Sequence, residues 1–110
     1  MAFPLHITFH DVERSDALEA RVRRFADKLC TIGERIVVCR VAIEAPHRRK
    51  HHGRHYRVRI DLAVPGAKLV ANRCPDEGLA SEDAYTAIGR AFDHVARLLR
   101  EHRAARSEHR

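Results

Sequence analysis

Apolar and polar positions alternate at the start of the chain. Leu5, Ile7 and Phe9 are apolar, with His6 and Thr8 between them, the two-residue period of a half-buried strand. The period then changes. Leu18, Val22, Phe25, Leu29 and Ile32 recur three and four residues apart, which predicts an amphipathic helix over about 15–32. Ser15 and Asp16 suit its N-terminal cap and Gly33 its stop. A second strand is predicted over 35–45, with Val37, Cys39, Val41 and Ile43 on one face and Ile36, Val38, Arg40, Ala42 and Glu44 on the other, ending at Pro46. The third is the clearest: Tyr56, Val58, Ile60, Leu62 and Val64 alternate with His55, Arg57, Arg59, Asp61 and Ala63. A hairpin connection over 47–54 joins the two, with Gly53 free to take a positive φ. Pro65-Gly66 marks a tight turn into a short fourth strand over 68–72. After a loop made acidic by Asp76, Glu77 and Glu82 comes a helix from 81 or 82 to beyond 100. Its buried stripe is Ala84, Ile88, Phe92, Val95 and Leu99, with Ala91 and Leu98 at the edges.

The order is β-α-β-β-β-α. A β-α-β crossover is right-handed and sets its two strands parallel, whereas hairpins set theirs antiparallel. Each helix has one apolar stripe and the strands share one apolar face. The predicted fold is therefore α+β: a two-layer sandwich with a four-stranded mixed sheet and both helices on one face. The other face, with His6, Thr8, Arg40, Glu44, Arg57, Arg59 and Asp61, stays in water. One domain is expected over 1–102, followed by a basic tail over 103–110 that frays.

Charge narrows the partners. Lys and Arg number 21 against 15 Asp and Glu, an excess suited to a polyanion, either nucleic acid or an anionic membrane surface. No apolar run approaches a membrane span and the N-terminus does not read as a secretory signal. Cys30, Cys39 and Cys74 have no CxxC spacing and read as reduced thiols of a cytoplasmic protein. Arg48, Arg49, Lys50, Arg54, Arg57 and Arg59 lie close together without an acid among them. A solvated edge loop that discourages strand pairing would explain them. The outward positions Arg21, Arg24 and Lys28 on the first helix, and Arg90, Arg97 and Arg100 on the second, extend the charge into one broad face suited to phosphates. Structured RNA is read largely by shape and backbone contacts. Phe9, Phe25, Tyr56 and Phe92 fall on core stripes and only Tyr85 is left partly exposed, which counts against a stacking platform for single strands.

Other chemistry is poorly supported. His47, His51, His52 and His55 with Cys39 fit no zinc spacing, so neither metal nor cofactor is expected. Nucleophile elbow, phosphate loop and dinucleotide loop are all missing. Asp76, Glu77, Glu82 and Asp83 suit loop solvation and a helix N-terminus. Cys30 and Cys39 have no neighbour in sequence that would activate them. A binding protein is expected, with neither enzymatic activity nor a small-molecule substrate.

Several segments together resemble a known family. They are Ala17-Leu18 and Lys28-Leu29 in the first helix, Cys39-Arg40-Val41-Ala42-Ile43-Glu44 before Pro46, Tyr56-Arg57-Val58 with Val64-Pro65-Gly66, and Glu82-Asp83-Ala84-Tyr85-Thr86-Ala87-Ile88 leading to Phe92-Asp93. The ordered set, from about Leu5 to His102, is similar to the bacterial ribosome hibernation promoting factors and ribosome-associated translation inhibitors. The resemblance implies a domain like double-stranded-RNA-binding folds that binds 16S rRNA of the 30S subunit at the decoding region and blocks mRNA and tRNA under stress or in stationary phase. It implies a short form, without the dimerisation domain of long members, expected to be monomeric off the ribosome. By position, the rRNA-facing residues of the family fall on Arg24, Lys28, Arg90, His94, Arg97 and Arg100. His94 stands where many relatives carry lysine, so charge at that contact would vary with pH. A general structured-RNA or double-stranded-RNA module without ribosome preference is the competing reading. An enzyme acting on an anionic substrate comes third.

Overall fold

The inward rows of the sheet hold the structure together. In the computed structural model, which describes residues 3–45, 56–73 and 83–108, strands β1 (Leu5–His10), β2 (Val38–Glu44), β3 (Arg57–Val64) and β4 (Ala67–Arg73) form one sheet in the order β1-β2-β3-β4. β1 and β2 are parallel; the other two pairs are antiparallel. Register aligns Leu5, Cys39, Leu62 and Leu69 in one row and Ile7, Val41, Ile60 and Ala71 in the next. A one-residue slip would turn every one of these side chains into water, so the register is strongly specified. Val41, Ile43, Val58, Ile60 and Leu62 are essentially inaccessible, and each contributes roughly 1.5–3 kcal/mol by burial.

Helices α1 (Asp16–Leu29) and α2 (Ala84–Glu108) cover that face. Ser15 caps α1, its hydroxyl oxygen accepting from the Leu18 N–H at 3.2 Å. A 3-10 turn, Cys30–Ile32, continues the helix, and Gly33 ends it with φ +87°, a left-handed conformation that only glycine adopts without strain. Asp83 starts α2: its carboxylate accepts from the Thr86 N–H at 2.8 Å, which holds its pKa below the ordinary value. Gly66, at φ +82°, completes the Pro65-Gly66 turn between β3 and β4.

The two-layer α+β architecture, the parallel first pair and the later hairpins agree with the pattern of the chain. Two local expectations do not hold. Val37 is exposed rather than inward, and Ile36 is buried in its place. A bend at Val37 interrupts the alternation, so β2 becomes regular only from Val38. On α1 the third inward position is shared: Ala26 is buried and Phe25 lies half-buried at the stripe's edge. The helix α2 runs on through 103–108, the stretch expected to form a basic tail. The basic connection with Arg48, Arg49 and Lys50, and the acidic loop with Cys74, lie outside the described residues.

The extension of α2 is held by contacts with the segment after α1. Glu34 has a side chain only 4% exposed, and its carboxylate forms an ion pair with Arg106, Nε at 3.2 Å. One helical turn earlier, the Arg103 guanidinium lies 3.8 Å from where a Cβ on Gly33 would stand. A buried carboxylate without a donor costs about 1–3 kcal/mol. Arg106→Ala is therefore expected to lower stability by about 1–3 kcal/mol, whereas Arg23→Ala, which breaks an exposed pair with Glu19, should cost under about 1 kcal/mol. Urea denaturation of the two variants checks the difference.

Candidate nucleic-acid interface

The two helices lie side by side and run in the same direction. Arg21 meets Tyr85, Phe25 meets Phe92, and Gly33 and Glu34 meet Arg103 and Arg106. Partners on both helices thus rise together in number. Because both inner faces are taken up by the sheet, both outer faces point to the same side of the molecule. Arg24 and Lys28 on α1, and Arg90, Arg97 and Arg100 on α2, are exposed; His94 is half-buried. The structure brings these sequence candidates onto two neighbouring helices. Arg48, Arg49 and Lys50 fall outside the described residues, as do the four histidines considered for zinc.

These cations are not equivalent. Arg97 lies 3.5 Å from Glu101 one turn on, an exposed pair of little stability. Arg23 is engaged by Glu19, whose pKa is lowered chiefly by the hydrogen bond from Arg23. Arg24, Lys28 and Arg100 form no ion pair with another described residue. Lys28 leans over the Phe25 ring, Nζ 5.3 Å from its centroid, a cation–π contact that turns it towards α2, since Phe25 stacks on Phe92 at 5.6 Å.

Arg21 differs most from expectation. It is half-buried between the helices. Its Nε donates to the Tyr85 carbonyl at 3.0 Å, and its guanidinium sits 4.9 Å over Phe25 and 5.1 Å over Tyr85. This side chain fastens α1 to α2. Gly89 lies against it: a Cβ there would stand in ordinary contact, 3.5 Å from Arg21 and 3.6 Å from Phe25. Neither Gly89 nor the role of Arg21 is legible from spacing, because the partners lie more than 60 residues apart in sequence (64 for Arg21 and Tyr85).

The opposite sheet face carries a shallow depression of about 660 Å³ lined by His10, Asp11, Ala42, Glu44, Arg57, Arg59 and Asn72. Its charges are balanced. Arg57 lies 3.7 Å from Glu44 across the β2–β3 pair, and Arg59 donates to Asp61 at 2.9 Å. A polyanion finds less unopposed positive charge there than on the helices. Cys39 is no nucleophile: burial, with a smaller effect of the Asp61 charge, pushes its thiol up to about 12. No three His, Cys, Asp or Glu side chains come together as a metal site among the described residues. None of the described helices is long and apolar enough to cross a membrane.

The family described as Sigma 54 modulation protein / S30EA ribosomal protein matches residues 5–107. Among solved structures, the N-terminal domain of Protein Y from Thermus thermophilus superposes with a TM-score of 0.69 at 17% identity, covering 89% of this chain and 97% of that one. A ribosomal subunit interface protein from Coxiella burnetii gives 0.68 at 16% identity, covering 91% and 97%. At these identities the likeness is one of fold. No curated protein sequence matches the chain significantly.

Two outcomes are expected. Alanine at position 89 meets only ordinary contacts and removes a glycine from a helix interior. Gly89→Ala should therefore keep or raise stability by up to about 1 kcal/mol, whereas Gly89→Leu should displace Arg21 and lower it; thermal unfolding separates the two. The second concerns Cys39. Its thiol stays protonated to about 12 in the fold, against 9.0 ordinarily, so the associated stability is whole below pH 9 and is lost as pH rises towards 12. Iodoacetamide at pH 8.5 should alkylate exposed Cys30 but not Cys39 in the native protein, and both in urea, as read by mass spectrometry.

Proposed function

The chain belongs to the Sigma 54 modulation protein / S30EA ribosomal protein family, a family of ribosome-associated modulation factors, and from that premise we propose that it is a hibernation factor that binds 16S rRNA of the 30S subunit at the decoding region. The protein occupies the path of mRNA and tRNA and stops translation by steric exclusion, under stress or in stationary phase. No bond is made or broken, so no residue needs a shifted pKa or a nucleophile. In this reading the protein acts in the cytoplasm as a monomer and needs no cofactor.

The observation that carries the reading is the outer face of the paired helices. Arg24, Lys28 and Arg100 project from two helices that face one way, without ion pairs to other described residues. Arg90, His94 and Arg97 stand on the same stretch of α2. Such side chains suit phosphates of folded RNA, whose bound counterions they release. The connection over 46–55 adds to the same term. It contains Arg48, Arg49, Lys50 and Arg54 and no acid, and its phosphate contacts would widen the footprint.

Replacing Lys28, Arg97 and Arg100 together by Glu is expected to weaken co-sedimentation with 30S subunits by more than roughly tenfold, with an unchanged circular dichroism spectrum. Wild-type affinity should also fall steeply between low and moderate salt. Equal affinity for an unrelated RNA duplex would favour a general structured-RNA module. Undiminished peptide synthesis by purified ribosomes saturated with the protein would overturn the inhibitory role.

A further inference from the structure

Tyr85 and Val37 are the large apolar side chains exposed among the described residues, at 43% and 46%. Val37 lies in the bend before β2. Tyr85 lies at the start of α2, beside the cationic helix face, and it is held. Its carbonyl accepts from Arg21 Nε at 3.0 Å, and the Arg21 guanidinium sits 5.1 Å over its ring. The same guanidinium is packed on Phe25, which is stacked on Phe92. The exposed ring is thus the outermost layer of an ordered stack of arginine and aromatic groups rooted in the core.

We propose that the Tyr85 ring is a stacking site for a single unpaired base of the bound RNA, with Arg21 as the residue that positions it. The proposal rests on the preceding reading for the identity of the RNA, and it deepens that reading by naming a part of RNA the phosphate-binding cations do not recognise. Three observations support it. First, ring and guanidinium are already fixed by contacts within the protein, so little conformational freedom is lost on binding. Second, aromatic rings together with arginine are a recurring means of holding unpaired bases, because every base has a π-face. Third, Arg24 and Lys28 on the neighbouring helix are exposed and form no ion pair with another described residue, so a backbone held by them can present a base to the ring. The scarcity of aromatic residues argues against a platform for a run of bases; it leaves room for one.

The chain has no Trp and two Tyr, so in a Tyr56→Phe variant Tyr85 is the only tyrosine. At low salt, a ten-nucleotide oligoadenylate should quench its fluorescence, after correction for absorption, while an abasic ribose-phosphate oligomer of equal length should not. No quenching by oligoadenylate, or equal quenching by both, overturns the proposal. The second arm measures 30S binding. Tyr85→Leu should lose roughly fivefold to a hundredfold in affinity at every salt concentration, leaving the salt slope unchanged, and Tyr85→Phe should stay within about twofold of wild type. The Lys28, Arg97 and Arg100 charge reversal should instead flatten the slope. Equal loss in Tyr85→Phe and Tyr85→Leu, or no loss in either, also overturns the stacking site. If wild-type protein fails to bind 30S subunits, the preceding reading falls, while the fluorescence arm still decides the stacking.

Discussion

A sheet with one apolar face has to be covered, and here the cover decides everything outside it. The rows through Val41, Ile60 and Ala71 and through Cys39 and Leu62 remain buried only if both helices lie against the same side. Two helices on one four-stranded sheet must lie next to each other. Their outer surfaces then form a single face whatever residues they carry. The cationic helix face is in this sense a by-product of the core: the inward stripes of α1 and α2 set the direction in which Arg24, Lys28 and Arg100 point. The arginine between the helices refines the arrangement. Arg21 turns a simple apolar contact into one with a preferred rotation, since its guanidinium must satisfy Phe25, Tyr85 and a backbone carbonyl together.

What could be read from the sequence follows the range of each force. Strands β3 and β4, both helices and the order of elements were legible because their signal is periodic and local. Most of the segments that resemble the family lie on β2, β3 and the helices, and the family match over 5–107 agrees with that resemblance. The exceptions have local or distant causes. At Val37 a bend shifts the parity of the strand by one residue, and alternation alone cannot register a bend. The end of α2 was hidden because Arg103, Ala104, Ala105 and Arg106 are exposed and carry no apolar period. The helix is kept by Glu34, in the segment before β2, and a side-chain pair between distant positions leaves no mark on hydropathy. Of the candidate cations, the outward ones were identified by helical spacing. That Arg21 is largely structural was not, since exposed and inter-helix positions on one helical edge have the same spacing.

The distribution of charge separates cations with a task inside the fold from those without one. Arg21 fastens the helices, Arg106 neutralises a buried carboxylate, Arg23 engages Glu19, and Arg59 engages Asp61. Net charge alone would count all of these as available to a polyanion. Removing them leaves a smaller set on the exterior of the described helices. In the proposed reading this set would hold a phosphate backbone without selecting a sequence.

The strand order β1-β2-β3-β4 has a kinetic meaning. Each strand pairs with the one made just before it, so the sheet can assemble in step with synthesis, and no strand waits for a later one to occupy a gap. Helix α2 comes after all four and closes the core with Ile88, Phe92, Val95 and Leu99. Half of the cationic face therefore does not exist until the rest of the domain is built, and a nascent chain still in the exit tunnel has only the α1 half to offer.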